Sequence, residues 1–182
     1  MVQERQQVAT PKMFHVERLS PFPRDLYSLV RKWIDQFPDQ MADDFWPREK
    51  HAFASEMDQR RVKEHTWLVL QDGEPVGFIG YAGMTPHLAS LRGICFSKHV
   101  HGNGTALRAL RACLQEQFDA GVYKICAYPF ADNARSIAFY RKLGAKTEGL
   151  FRGHTTRGGR LTDVLAMAFF ASQDAYWMGG ER

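Results

Sequence analysis

Hydrophobic positions recur along the chain with two different spacings, which predict a succession of strands and helices. Residues 14–19 alternate between apolar and polar, as a half-buried strand does. From Arg24 onward, apolar residues follow the three- and four-residue spacing of one helix face, and Pro38 ends that helix. A second short helix is predicted over residues 48–61, since Pro47 favours a helix start.

The rest of the chain alternates between strand-like and helix-like runs. Residues 66–71 and 75–82 flank Asp72-Gly73, which is a strong signal for a β-hairpin. The later predicted elements are a strand at about 90–96, a helix between the glycine-rich turn at 102–104 and Gly121, a strand at 123–128, a helix at 133–143 between Asn133 and Gly144, and strands at 145–154 and 160–172.

This order of elements mixes hairpins with crossover helices. It favours one α/β domain with a mixed, mostly antiparallel sheet flanked by helices. We expect the domain to cover residues 13–173, with a flexible N-terminus over 1–12 and a C-terminal tail over 174–182.

Composition limits the classes of protein to which the chain can belong. The 182 residues suit one domain, and 45% hydrophobic with 24% charged residues exclude a disordered chain and a coiled-coil rod. A net charge of +4 is too small to indicate nucleic-acid binding, although it suits an anionic ligand. The three cysteines show no metal-site spacing, and no apolar run resembles a signal peptide or a membrane span. A cytoplasmic protein without structural zinc is therefore expected.

The segment 96–106 leaves a predicted strand and enters a predicted helix through Gly102 and Gly104. Glycines permit a tight turn, and the unpaired amides and positive dipole end of a helix attract phosphate oxygens. The Walker string is absent, and Leu107 breaks the GxGxxG dinucleotide fingerprint. A loop that only turns the chain remains the alternative to an anion-binding loop.

Two motifs together resemble the GNAT superfamily of N-acetyltransferases. His101, Gly104 and Ala106 fall on the family's acetyl-CoA pyrophosphate loop, with His101 where Gln or Arg is usual. The segment NARSIAFYRKLGAKTEG, residues 133–149, resembles the second family signature, with Ala145 replacing the usual Phe. The last two predicted strands resemble the final hairpin of the family branch that contains ribosomal-protein N-terminal acetyltransferases and spermidine N-acetyltransferase.

The resemblance implies transfer of an acetyl group from the co-substrate acetyl-CoA to a primary amine, by direct attack in a ternary complex. It implies a splayed strand pair, in which Ile94, Cys95 and Phe96 meet the pantetheine amides. The other residues that it assigns to acetyl-CoA are His101, Gly102, Asn103, Gly104, Thr105, Ala106, Asn133 and Ser136. Since a neutral imidazole donates one hydrogen bond, we expect phosphate affinity to depend on pH near roughly 6 to 7.

Asn133 and Tyr140 are seven residues apart, so they share one face of their helix. The leaving thiolate, with a thiol pKa of about 8.5, gains from a nearby proton donor. The resemblance assigns this catalytic role to Tyr140. Packing in the core is the alternative for an aromatic residue at this spacing.

The amine side is less defined by the sequence. A primary amine with a pKa of about 10 must lose a proton before it attacks. The candidate bases, each of which could instead be a surface residue, are Asp44, Glu49, His87 and His154. We hypothesise that the acidic loop of Asp39, Asp43 and Asp44 attracts a peptide N-terminus, a polyamine or another small amine, with a solvated loop as the alternative.

Two other classes of function compete with an enzyme. An acyl-CoA-binding sensor or interaction module would bind acyl-CoA through the glycine-rich turn without catalysing acetyl transfer. A nucleic-acid-binding domain would use basic residues that are scattered among acids on predicted helices, so neither nucleic acid nor membrane is an expected partner. A homodimer is compatible with the sequence.

Overall fold

A computed structural model describes residues 13–43 and 46–171. Its strands are β1 (Phe14–Leu19), β2 (His65–Gln71), β3 (Glu74–Thr85), β4 (Leu88–Phe96), β5 (Lys124–Ala127), β6 (Lys146–Arg157) and β7 (Arg160–Phe170). Its α-helices are α1 (Tyr27–Ile34), α2 (Lys50–Lys63), α3 (Thr105–Asp119) and α4 (Ala134–Lys142). The predicted order of strands and helices is confirmed. The predicted termini at 1–12 and 174–182, together with Asp44 and Phe45, lie outside the described residues.

The strands form one seven-stranded sheet in the order β1-β2-β3-β4-β5-β7-β6. Every neighbouring pair is antiparallel except β4 and β5, which are parallel. The mixed, mostly antiparallel α/β fold is therefore confirmed. At the hairpin between β2 and β3, Asp72 and Gly73 have φ angles of 56° and 83°, as a tight primed turn requires.

The first helix is shorter than its hydrophobic pattern. A 3₁₀ turn at Arg24–Leu26 precedes α1, and a second 3₁₀ turn begins at Pro38. Phe37, directly before this proline, has a φ of −141° and a ψ of 56°. Proline disfavours helical geometry in the residue that precedes it, so the helix ends early although the apolar spacing continues.

Two hydrophobic clusters cover opposite faces of the sheet. One cluster joins Trp67 and Ile79 to Leu110 of α3 and Ile137 of α4. The other joins Phe78 and Cys95 to residues of α1 and α2, which are Val30, Trp33, Ile34, Phe53 and Met57. Because successive strand residues point to opposite faces, neighbours such as Phe78 and Ile79 serve different clusters. Among the described residues, no helix is long and apolar enough to cross a membrane.

Candidate active site

The sheet opens between β4 and β5. Their parallel pairing ends where Ser90 lies opposite Cys126, although β4 continues to Phe96. Beyond β5 the chain turns towards β7, where the Leu165 amide donates to the Pro129 carbonyl at 2.9 Å. Residues 91–96 of β4 therefore have no strand beside them on this edge, within the described part of the chain. The expected splayed strand pair is confirmed.

A cleft of about 700 Å³ lies at this opening, within the size range of small-molecule sites. The described residues that line it come from the loop after α1, the end of α2, β3, β4, the segment after β5, α4, β6 and β7. Those used below are Trp46, Lys63, Glu64, Arg92, Ile94, Tyr128, Asn133, Ser136, Tyr140, Phe151 and His154. Ile94 lines the cleft as predicted, whereas Cys95 and Phe96 are buried against the two core clusters.

The glycine-rich turn forms the start of α3. Gly102 and Gly104 have φ angles of 80° and 84°, a conformation that only glycine adopts without strain. The Thr105 hydroxyl is fully buried and donates to Gln71 Oε1 at 2.8 Å, which fixes the turn to the end of β2. Within the described residues, the amides of 102–104, 106 and 107 have no protein acceptor. They form a group of donors suited to phosphate oxygens.

His101 connects this turn to α4. One ring nitrogen, Nδ1, lies 2.9 Å from the Arg135 guanidinium, and the other, Nε2, lies 3.2 Å from the Phe96 carbonyl. Arginine only donates and a carbonyl only accepts, so this neutral imidazole carries its hydrogen on Nε2. The ring also stacks on Phe37, with centroids 4.8 Å apart. The single donor of the imidazole is thus used within the chain, so the expected donation to phosphate is not available in this arrangement.

Burial lowers the pKa of His101, and the positive charges of Arg135 and Lys98 lower it further, against the opposing effect of the Phe96 carbonyl. The imidazole therefore stays neutral at pH 7. Arg135 itself is exposed beside the turn. Sequence reasoning did not place Arg135 beside the glycine-rich turn, because nothing in the local pattern shows that α4 begins next to α3.

Asn133 begins α4 as predicted, and its Oδ1 accepts a hydrogen bond from the Ser136 amide at 3.0 Å. Asn133, Ser136 and Tyr140 all line the cleft, so the predicted shared helix face is confirmed. The Tyr140 ring packs edge-on against Phe169 at 6.0 Å. Burial raises the pKa of the Tyr140 hydroxyl to about 12, so this group is a stable hydrogen-bond donor at neutral pH.

Aromatic side chains form the far wall of the cleft. Tyr128 is 37% exposed and Phe151 is 41% exposed, and the two rings stack with centroids 6.0 Å apart. His154 lies 5.0 Å from the Phe151 ring. Exposed rings in the wall of a cleft offer an apolar surface to a ligand.

The predicted bases are not brought together. Glu49 and His87 are not among the residues that line the cleft, whereas His154 is. Asp43 accepts from the Gly159 amide at 2.9 Å, and its own amide donates to the Thr156 carbonyl. Asp43 therefore holds its loop against the β6–β7 hairpin, and Asp39 also lies outside the cleft lining.

Glu64 is a cleft residue that sequence reasoning missed. It follows the last residue of α2, and its carboxylate lies 3.4 Å from the Arg92 guanidinium. Burial raises the pKa of Glu64 against the opposing charges of Arg60 and Arg92. A polar residue at a predicted helix end carries no signal of this location.

Residues with metal-ligating side chains do not cluster in the described ranges, where no group of three or more could hold a metal ion. Cys95, Cys113 and Cys126 are free and buried. Burial raises the pKa values of the Cys95 and Cys113 thiols to about 12, so both remain protonated.

Known proteins share this fold. The described chain overlays the ribosomal-protein-S5-alanine acetyltransferase of Vibrio fischeri with a TM-score of 0.71 and 15% identity, covering 90% of this chain and 98% of that one. A ribosomal L7/L12 alpha-N-protein acetyltransferase in complex with coenzyme A gives a TM-score of 0.72 at 16% identity, covering 86% and 93%. At these identities the likeness shows the fold.

Sequence comparison agrees with the structural one. The spermidine N(1)-acetyltransferase of Escherichia coli K12 is 24% identical over 151 residues, which are 80% of this chain and 76% of that protein. The profile of the acetyltransferase (GNAT) family matches residues 26–145, from just before α1 to just past α4. Family members use acetyl-CoA as co-substrate, and the protein is an acetyl-CoA-dependent N-acetyltransferase. The chain belongs to the acetyltransferase (GNAT) family.

Proposed function

We propose that the protein catalyses direct attack of a primary amine on acetyl-CoA within a ternary complex, with Tyr140 facing the sulfur. The observation that carries the proposal is the opening between β4 and β5, which brings Tyr140 and the free edge of β4 into one cleft. A thioester and an amine can meet there without a covalent acetyl-enzyme, since the described cysteines are buried thiols.

Acetyl-CoA binding is assigned to two segments. Ile94, Cys95 and Phe96 offer backbone groups to the pantetheine amides, as an unpaired strand edge does. The pyrophosphate meets the turn at residues 101–106, with His101 holding Arg135 beside it, while Asn133 and Ser136 orient the pantetheine arm from α4. Free amides and an arginine together suit a diphosphate.

Tyr140 stabilises the leaving thiolate mainly by donating a hydrogen bond. Its pKa is about 12, whereas a free thiol has a pKa of about 8.5, so complete proton transfer to the thiolate is uphill by about 5 kcal/mol. A hydrogen bond to the developing charge needs no such transfer. The hydroxyl is therefore most effective while the carbon–sulfur bond breaks.

The lining charges favour an acceptor with one amine over a polyamine. The described lining carries the cations Lys63 and Arg92 and the single carboxylate Glu64, which is already close to Arg92. A polyamine would need several carboxylates to pair with its charges, whereas a peptide N-terminus or a small amine that carries an aromatic ring needs only one. An apolar group on such an acceptor could also pack against Tyr128 and Phe151.

Thiol release from acetyl-CoA tests the proposal. N-terminal peptides, spermidine, aminoglycosides and free amino acids are compared at equal concentration, and acetylated products are identified by mass. We expect turnover with single amines to exceed turnover with spermidine. Saturable acetyl-CoA binding without thiol release by any amine would instead support the sensor, and the absence of acetyl-CoA binding would refute both.

A further inference from the structure

Glu64 occupies a distinctive position in the cleft. Among the described lining residues it carries the only carboxylate, and its side chain is 10% exposed. It is the C-cap residue of α2, directly before β2, so the backbone on both sides is held by regular structure. A carboxylate that is nearly buried, and yet lines a ligand-sized cleft, requires an explanation beyond surface solubility.

The carboxylate lies on the sheet face opposite to Tyr140. Tyr140 packs against the cluster that includes α3, whereas Glu64 lies beside the cluster that includes α2. A Cβ atom added to Gly80 would lie 3.7 Å from Glu64 Oε2, so the carboxylate reaches over β3 towards β4. The cleft passes between β4 and β5, so a thioester held near Tyr140 and an amine arriving near Glu64 approach each other from opposite faces.

Charged groups surround Glu64 on every side that packs against it. Arg60 and Glu56 face it from α2, Arg92 faces it from β4, Lys63 lines the same cleft, and Arg61 lines the small cavity behind it. Burial raises the pKa of Glu64, and Glu56 adds to this effect, while Arg60 and Arg92 oppose it. The carboxyl is therefore a stronger base than an exposed glutamate.

We infer that Glu64 is the proton acceptor for the amine substrate, an assignment that rests on the proposed function. The ammonium transfers one proton to Glu64, directly or through one water, and its nitrogen lone pair then bonds to the thioester carbonyl carbon. The carbon–sulfur bond breaks, and its electron pair leaves on the sulfur. As the amide forms, the nitrogen loses a second proton, which passes through solvent to the thiolate, and Glu64 returns the first proton to solvent.

His154 is the competing candidate, because it also lines the cleft and imidazole is a common base. Its ring lies within the aromatic wall, 5.0 Å from Phe151 and 6.1 Å from Tyr128. Glu64 instead carries a charge that attracts an ammonium and orients it. A carboxylate therefore serves both binding and deprotonation, whereas an imidazole carries no negative charge that could bind an ammonium.

Rates of thiol release are compared for the wild-type protein, Glu64→Gln, Glu64→Asp and His154→Gln, using the most active amine of the panel. Glu64→Gln is expected to lower kcat/KM at pH 7 by about 10²- to 10⁴-fold. Without the base, turnover requires free amine, so this deficit should shrink about tenfold per pH unit until the pH reaches the pKa of the amine, which is about 8 for a peptide N-terminus and about 10 for an alkylamine. Glu64→Asp should keep the wild-type pH profile at a reduced rate, and His154→Gln should also keep the wild-type pH profile, whatever its rate.

A purely structural role predicts a different result. Glu64→Gln would then lose the same factor at pH 7 and at pH 9.5, together with acetyl-CoA affinity or Tm, and that result would overturn the inference. A pH-dependent deficit in His154→Gln, and not in Glu64→Gln, would overturn it as well. Absence of turnover by the wild-type protein with every amine would refute the proposed function itself, which separates the two failures.

Discussion

Replacing Tyr140 with phenylalanine removes one oxygen atom from the cleft and leaves the packing intact. The ring contacts Phe169 edge-on at 6.0 Å and Phe139 at 5.5 Å, and both contacts involve ring atoms that phenylalanine retains. The Tyr140 hydroxyl makes no hydrogen bond to another described residue, so its removal leaves no described protein group unpaired. The substitution therefore tests the chemical role of the hydroxyl and not the fold.

The expected loss follows from the free energy of one hydrogen bond. A hydrogen bond to a charged group contributes about 1.5–3 kcal/mol, which corresponds to about 10- to 150-fold in kcat. With a pKa of about 12, the Tyr140 hydroxyl stays protonated throughout the range in which most assays are run. The fold-loss in kcat should therefore be the same at pH 7 and at pH 9.5.

Thiol release at saturating acetyl-CoA and amine measures kcat, and calorimetry measures the Kd for acetyl-CoA. Tyr123→Phe is the matched control, because Tyr123 is 40% exposed and does not line the cleft. We expect Tyr140→Phe to lower kcat with little change in Kd, and the control to match wild type. An unchanged kcat in Tyr140→Phe, or a loss confined to Kd, would refute the assigned role.

Three further predictions concern binding and stability. Gly104→Ala should lower the free energy of unfolding by about 1–2 kcal/mol and weaken acetyl-CoA binding, because Gly104 has a φ of 84°. Gly149 has no positive φ, so the control Gly149→Ala should change neither thermal unfolding nor the Kd measured by calorimetry. Arg135→Ala should raise the Kd for acetyl-CoA with kcat retained, and an unchanged Kd would exclude a phosphate contact. The pKa values of Cys95 and Cys113 rise from 9.0 to about 12 on folding. The free energy of unfolding should therefore be constant with respect to these thiols below pH 9 and fall as pH rises towards 12. Urea titrations at pH 8, 9.5 and 10.5 would check this.

Several features of the site were predictable because they depend on residues close together in the chain. The cap at Asn133 needs only a side-chain acceptor three residues before an amide, and Tyr140 shares its face through helical periodicity. The tight turn at residues 102–104 was predicted from glycines between a strand and a helix, and Gly102 and Gly104 both have positive φ angles. Each of these expectations is confirmed by the structure.

The amine side was predicted less well, for a physical reason. Acidic residue type suggested Asp43 as an attractant for cations, but Asp43 accepts a hydrogen bond from a hairpin more than 100 residues later in the chain. Glu64 gave no local signal, since its significance comes from Arg92 and the burial that surrounds both side chains. Neither contact follows from periodicity or turn chemistry.

The sequence alone determined the order of the elements, the hairpin at Asp72-Gly73, and the helix face shared by Asn133 and Tyr140. Backbone sterics and hydrogen-bond reach act over a few residues, so local patterns encode these features. Only the tertiary structure decided that β4 and β5 part after Ser90, that His101 meets Arg135, and that Glu64 lines the opening. Those outcomes depend on how distant segments pack, and no single segment carries that information.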